Sequence, residues 1–188
     1  AEITCADDAG LRREQADKVF VTLADGSANS IESGSTYAED ALSNNRKGAI
    51  FARDDITING SGSLSVTGGY YHGIDANDSV TITGGTITIT AVQDGLHVND
   101  GISLCGASLT IDAGDDGMTV SEDDGYVYIE SGTVTITNCY EGIEAHAIDV
   151  AGGDITIYPS DDGFNANGGS GMMGFGGPGG MGGFPGGQ

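Results

Sequence analysis

Carboxylates stand at two recurring addresses in this sequence. One set comes immediately before a glycine: Asp94, Asp115/Asp116, Glu141 and Asp161/Asp162 precede Gly95, Gly117, Gly142 and Gly163. The other falls a few residues into each repeat, at Asp54/Asp55, Asp78, Asp100 and Asp123/Asp124. If each set is a row on stacked strands, neighbours lie about 5 Å apart. Like charges that close are costly unless a cation or a proton relieves them. Hard oxygen ligands in turns suit Ca²⁺, which takes roughly six to eight oxygens and accepts backbone carbonyls. The candidate metal ligands are Asp78, Asp94, Asp100, Asp115, Asp116, Asp123, Asp124, Glu141, Asp161 and Asp162. Asp is also a favoured turn residue that caps backbone amides, and that is the first reading of any one of them. Neither an EF-hand loop nor an RTX-type nonapeptide is present, so no motif fixes the ligand sets.

Between the rows lies a polar series: Phe51/Arg53, Asp75/Asn77, His97/Asn99, Thr119/Ser121, Glu144/His146 and Asn165/Asn167. A flat polar face with occasional rings suits an extended polysaccharide, and an ordinary solvated face has the same composition. The candidate carbohydrate contacts are Phe51, Arg53, Asp75, Asn77, His97, Asn99, Glu144 and His146. His72, His97 and His146 fall at different places in the repeat, which speaks against one metal triad. Catalysis finds little support. A calcium-assisted polyuronate lyase needs a basic residue, and only Arg53 and Lys47 lie near an acidic row. Acidic pairs are so plentiful that spacing does not exclude a glycosidase. No Ser/His/Asp or Cys/His constellation stands out. The Thr86-x-Thr88, Ser108-x-Thr110 and Thr133-x-Thr135 series breaks at Asp154-x-Thr156, too short for a convincing ice-binding row.

The elements that position these residues follow from a repeat of roughly 21–25 residues, marked by Gly73, Gly95, Gly117, Gly142 and Gly163, with an earlier copy opening at Ala49. A period of that size means a solenoid. Within a copy, alternating apolar residues predict three short strands. The first stacks Ile50, Ile74, Leu96, Met118, Ile143 and Phe164 inward, with Ala52, Ala76, Val98, Val120, Ala145 and Ala166 behind them. The second stacks Ile56/Ile58, Val80/Ile82, Ile102/Leu104, Val127/Ile129 and Ile148/Val150. The third stacks Leu64/Val66, Ile87/Ile89, Leu109/Ile111, Val134/Ile136 and Ile155/Ile157. The expected fold is all-β, a parallel β-helix with three strands per coil. Only Tyr37 to Leu42 reads as a weak helix.

Three segments are expected. Residues 1–47 form an irregular first coil with strands at Lys18–Leu23 and Ser27–Ser33 and an inserted loop. Residues 48–167 form the regular helix, and residues 168–188 a Gly-rich tail carrying Met172, Met173, Phe175, Met181 and Phe184. The net charge is −22, and all six basic residues (Arg12, Arg13, Lys18, Arg46, Lys47, Arg53) come early. Such a surface repels nucleic acid and anionic membranes and attracts cations. No apolar run is long enough to span a bilayer. No signal peptide is visible at Ala1, as in a mature form or a fragment. Cys5, Cys105 and Cys139 have no metal-ligand spacing and no evident pairing.

The segments ADKVFVTLADGSANSI, AIFARDDITINGSGSLSV, GGTITIT, DDG and DGYVYIESGTVTIT, in that order, resemble the secreted calcium-binding β-helix family of carbohydrate-binding domain proteins. The resemblance runs over roughly residues 15–167, and a Met/Phe/Gly tail is typical of it. It implies a right-handed parallel β-helix similar to polysaccharide lyases, bound Ca²⁺, an extracellular or cell-surface location and adhesion to plant cell-wall polysaccharides such as pectin or cellulose. No catalytic residues come with it. Two departures stand out. The family usually has coils upstream of the ADKVFVTL segment, and Gly10–Glu14 replaces an apolar-alternating strand, which puts Arg13 at an inward position. The leading expectation is a non-catalytic, Ca²⁺-dependent polysaccharide binder. The alternative is a filament or surface-layer subunit associating end to end through open solenoid ends and the tail.

Overall fold

The structure, a computed structural model, describes residues 1–167. The expected tail, and its suggested role as a connector, lie outside the described residues. A lone strand β1 (Glu2–Thr4) precedes the first coil, β2 (Leu11–Arg13), β3 (Lys18–Leu23) and β4 (Ala28–Glu32). An insertion with the short helix α1 (Glu39–Ser43) follows, overlapping the stretch read as weakly helical. The second coil is β5 (Gly48–Ala52), β6 (Asp55–Gly60) and β7 (Ser63–Gly68); the third is β8 (His72–Ala76), β9 (Ser79–Ile82) and β10 (Thr86–Ala91). The fourth coil is β11 (Leu96–Val98) and β12 (Gly101–Ala113), and the fifth β13 (Met118–Val120) and β14 (Tyr126–Cys139). The sixth comprises β15 (Ile143–Ala145), β16 (Ala147–Val150) and β17 (Asp154–Pro159), and β18 (Phe164–Ala166) opens the next. In β12 and β14 the second and third strands of a coil run on as one bent strand. The bends carry Gly106 and Gly132 at φ +80° and +107°, conformations closed to most side chains.

Every strand pairing among the described residues is parallel, so the chain is a parallel β-solenoid. First strands make one sheet in the order β18-β15-β13-β11-β8-β5-β2, and second and third strands share the other. Register follows the expected ladders: Ile50 pairs with Ile74, Ile74 with Leu96, Leu96 with Met118, Met118 with Ile143, and Ile143 with Phe164. A one-residue slip would turn these aliphatic side chains outward, which is why the alternation fixes register. The interior is aliphatic: Ile56, Ile58, Ile74, Ile82, Ile87, Ile89 and Leu96 are fully buried. Among the described residues no helix is long and apolar enough to cross a membrane.

The corner glycines Gly73, Gly95, Gly117 and Gly142 are required by close approach, and their φ is not in the left-handed region. A Cβ on Gly95 would stand 2.5 Å from Ile111 Cγ2 and 2.6 Å from the Gly117 carbonyl oxygen. One on Gly117 would stand 2.5 Å from the Gly142 carbonyl oxygen and 2.6 Å from Ile136 Cδ1. The third-strand isoleucine thus seats directly on the corner of its own coil, leaving room only for hydrogen.

Arg13 pairs with Ala52, as the inward register demands, yet it is exposed on β2, the outermost strand of its sheet among the described residues; its guanidinium donates to the Gln15 carbonyl. The insertion is anchored by Arg46. That side chain is 3% exposed and contacts Asp8 (3.1 Å), Glu14 (3.2 Å) and Asp40 (2.6 Å). Tyr37 donates its hydroxyl hydrogen to the Gly48 carbonyl, and Ala41 of α1 is fully buried. Cys5, Cys105 and Cys139 are all free thiols.

Candidate functional site

The outward residues of the first sheet form a continuous row: Arg12, Phe51, Asp75, His97, Thr119, Glu144 and Asn165 pair in succession. The row itself follows the expected register, but its exposure does not. Phe51 is 1% and Asp75 6% exposed, so neither meets a ligand at the surface as expected. Both faces of β5 and β8 are covered where the non-periodic insertion is fastened to this side of the solenoid. Arg53 donates to the Asn44 carbonyl at the edge of that insertion (3.5 Å), and Asn77 is half-buried beyond it.

The row opens in the later coils. Thr119, Val120, Ser121, Glu122, Asp123, Glu144, His146 and Asn167 line a groove of about 360 Å³. Asn167 donates its amide to Glu144 (2.7 Å), and Ser121 donates its hydroxyl to Asn99 Oδ1 (3.0 Å). Glu144 and His146, both expected contacts, therefore share one concave polar surface.

Beside the groove runs the first acidic row. The N–H of each corner glycine donates to the carbonyl of the row residue one coil on: Gly73 to Asp94, Gly95 to Asp116, Gly117 to Glu141, and Gly142 to Asp162. Side chains repeat the step. The Asp116 N–H donates to Asp94 Oδ1 (3.2 Å), and the Glu141 N–H to Asp116 Oδ1 (3.0 Å). The capping role of these carboxylates is thus realised, and it also aims their remaining oxygens together. Oxygens of Asp116, Glu141 and Glu144 converge within 4.8 Å, as do those of Asp94, Asp115 and Asp116. Asn165 donates its amide to both Glu141 oxygens (3.0 and 2.8 Å), and Thr119 donates to Asp116 Oδ2 (3.2 Å). Asp161 and Asp162 are exposed at the last corner.

The second acidic row is shorter than expected. The Asp100 N–H donates to the Asp78 carbonyl, but the Tyr126 N–H takes the next step to Asp100, so Gly125 occupies the row position and Asp123/Asp124 lie in the preceding turn. Lys18 pairs with Asp55 at 3.0 Å. Among the described residues no convergent trio of ligands includes Asp54, Asp55, Asp78, Asp100, Asp123 or Asp124.

The three histidines form no single group, but two of them meet. His72 and His97 converge on Asp94 Oδ2 at 3.2 and 2.8 Å, with rings stacked 4.4 Å apart, whereas His146 lines the groove. The tyrosines escaped the sequence reading. Tyr37 stacks on Tyr70, which meets Tyr71 edge-on, and the Lys47 ammonium lies 5.5 Å from the Tyr71 ring centre. The Tyr70-Tyr71-His72 run before Gly73 is the signal that marks this cluster.

Electrostatics divide the row. Burial, reinforced by Asp94 and Asp115, pushes the Asp116 carboxyl up to about 6. Burial and the Glu141 charge raise Glu144, and burial raises Asp75. Asp94 is held well below the usual range: burial opposes its charge, but the two imidazoles outweigh it. Burial disfavours the His97 imidazolium, and Asp94 outweighs that to raise its pKa. Groups raised in the folded state stabilise it most below their unfolded value, near 4 for carboxyls, and that contribution is lost as pH rises through the folded value. Asp94 works the other way, and its contribution disappears only as pH falls below about 4. In metal-free protein Tm is therefore expected to be higher near about pH 5 than near about pH 7, and Asp116→Asn to narrow the gap. Thermal melts in EDTA check this; equal midpoints in wild type would contradict it.

A family profile described as carbohydrate-binding domain-containing protein matches residues 1–170. A carbohydrate-binding domain-containing protein of Acetivibrio thermocellus is 39% identical over 90 residues, 47% of this chain. The chain spans 32% of that relative's length. A solved structure, the polysaccharide lyase-like protein from C. thermocellum as a gadolinium derivative, aligns with TM-score 0.72 and 32% identity. That alignment takes in 87% of this chain and 71% of the other.

Proposed function

The chain belongs to the family of carbohydrate-binding domain-containing proteins, and from that membership we propose that it is a secreted, non-catalytic polysaccharide-binding β-helix whose ligand is held through Ca²⁺. The observation that carries this reading is the double position of Glu144. Its carboxylate is one of the three that converge with Asp116 and Glu141, and it also lines the open groove with His146, Ser121 and Asn167. The donor set fits the ion: oxygen-only, anionic, aimed by protein amides and hydroxyls, and carrying like charges that a divalent cation would relieve. Bound there, Ca²⁺ would supply positive charge to a surface that has no Lys or Arg after Arg53. A polyuronate such as pectate suits that chemistry, since its carboxylates would otherwise be repelled by a chain of net charge −22. A neutral glucan such as cellulose would instead use the hydroxyl and amide groups of the groove.

Pull-down on insoluble pectate in Ca²⁺ and in EDTA tests the reading. Retention is expected in Ca²⁺ and its loss in EDTA; full retention in EDTA would refute cation bridging. A second reading, end-to-end association, is favoured by a shallow apolar depression on the last described coils, lined by Ile148, Val150, Ile155, Phe164 and Ala166. Sedimentation of the same samples separates the two, because a filament subunit sediments as a polydisperse series without any polysaccharide.

A further inference from the structure

We propose that His72, Asp94 and His97 form a site for a divalent transition-metal ion of the Zn²⁺ class, distinct in ligand chemistry from the all-oxygen groups farther along the row. Backbone register builds the site. His72 and Asp94 hold the same corner position in successive coils, since the Gly73 N–H donates to the Asp94 carbonyl. His97 stands three residues after Asp94 on β11 and returns beneath His72. The two rings are stacked, 4.4 Å between centroids and 14° between planes, so both Nδ1 atoms face one carboxylate oxygen. Nδ1 of His97 is 2.8 Å and Nδ1 of His72 is 3.2 Å from Asp94 Oδ2. One ligand atom from each of the three residues lies within 4.8 Å of the others.

The contact between His72 and Asp94 is what calls for a cation. The Asp94 N–H points at His72 Nδ1 from 3.3 Å, so that nitrogen turns its lone pair into the corner and away from solvent. An Nδ1 that keeps its lone pair is repelled by the carboxylate oxygen at 3.2 Å, and an Nδ1 that carries the proton faces the Asp94 N–H instead. No neutral tautomer satisfies both contacts, and a cation against the nitrogen and the oxygen relieves the first. His72, Asp94 and Asp75 are all nearly buried, at 5%, 6% and 6% exposure. Asp75 faces His97 across the strand pair and accepts the Lys47 N–H, while the Lys47 ammonium lies over Tyr71. With both imidazoles neutral, the cluster therefore holds two buried carboxylates. Two imidazolium protons or one divalent ion would balance them. Two nitrogens and one oxygen select Zn²⁺, Co²⁺ or their neighbours over Ca²⁺ and Mg²⁺. The Asp116 N–H on Asp94 Oδ1 supplies the supporting contact that fixes the carboxylate. The side chain of His97 is 31% exposed, which leaves a route for the ion and for water.

The test uses the full chain stripped of metal and titrated with Co²⁺, then Zn²⁺, at slightly alkaline pH. Visible Co²⁺ d–d absorption is expected, bleached by one equivalent of Zn²⁺. His97→Gln is expected to weaken Zn²⁺ more than about ten-fold, the scale at which even supporting contacts act, and Asp154→Asn, an exposed position on β17, to leave it unchanged. Circular dichroism melts establish that each variant is folded. Independently of any variant, Zn²⁺ must shift the imidazole resonances of His72 and His97 in the wild-type NMR spectrum. A chain that shows no d–d band and unmoved imidazole resonances binds protons only, and the proposal fails. It fails equally if Co²⁺ binding survives His97→Gln and disappears in Asp116→Asn, which would put the ion on the carboxylate row.

Discussion

The double variant Asp116→Asn/Glu144→Gln is expected to lose Ca²⁺-dependent retention on pectate by at least about ten-fold, because Ca²⁺ affinity follows the number of charged ligands. Both changes keep the shape of the site. Asparagine at 116 retains an oxygen for the Glu141 N–H, and glutamine at 144 retains one for the Asn167 amide. Both also remove a charge that burial, and after it the neighbouring carboxylates, already oppose, since Asp116 and Glu144 each have a raised carboxyl pKa. The variant should accordingly melt no earlier than wild type in EDTA while losing the stabilisation that Ca²⁺ confers. Pull-down and melts with and without Ca²⁺ measure both. Undiminished retention would move the bridging ion off this trio. Retention on cellulose that is equal in the two proteins would show the groove acting without the ion.

Arg46→Ala is expected to destabilise the fold by about 3 kcal/mol, the lower end of the cost of breaking a buried ion pair from one side. The guanidinium is almost wholly covered, and Asp8, Glu14 and Asp40 all depend on it. Asp40 is exposed enough to be rehydrated once the arginine is gone, which keeps the loss at the lower end, whereas Asp8 is mostly covered. In a chain of this size the loss corresponds to a fall in Tm of roughly 6–12 °C. Arg46→Lys should recover little, because an ammonium cannot contact three carboxylates as a planar fork does. Urea and thermal denaturation of the two variants give the result, and a loss below about 0.5 kcal/mol for Arg46→Ala, the level of an ordinary surface change, would mean that the cluster does not hold the insertion.

The aliphatic ladders from Ile50 to Phe164 were legible because alternation of period two carries both the strand and its buried face. The corner glycines were legible as a period. Their cause, the seat of Ile111 or Ile136, belongs to packing between distant strands and leaves no local trace. The first acidic row could be aligned from its glycines. The second could not be carried through the fifth coil, where Val98 to Val120 takes 22 residues but Gly101 to Tyr126 takes 25. Three extra residues in that turn move Asp123 and Asp124 out of register. The cover over Phe51 and Asp75 was hidden because the insertion has no period from which to place it. The meeting of His72 and His97 was missed because it is diagonal: a corner residue of one coil against a strand residue of the next.

The charges are sorted along the solenoid. Residues 1–53 hold nine acidic and all six basic residues, and everything beyond holds nineteen acidic residues and no Lys or Arg. Stacked coils turn that order in the sequence into an order in space, so the molecule is a short rod with an electric dipole along its axis. Added salt screens the self-repulsion of the C-terminal coils, while the covered ion pairs of Arg46 at the other end respond far less. Near an anionic mesh the field exerts a torque as well as a force. The rod turns its N-terminal end forward, and its direction of approach is set before any sugar is touched.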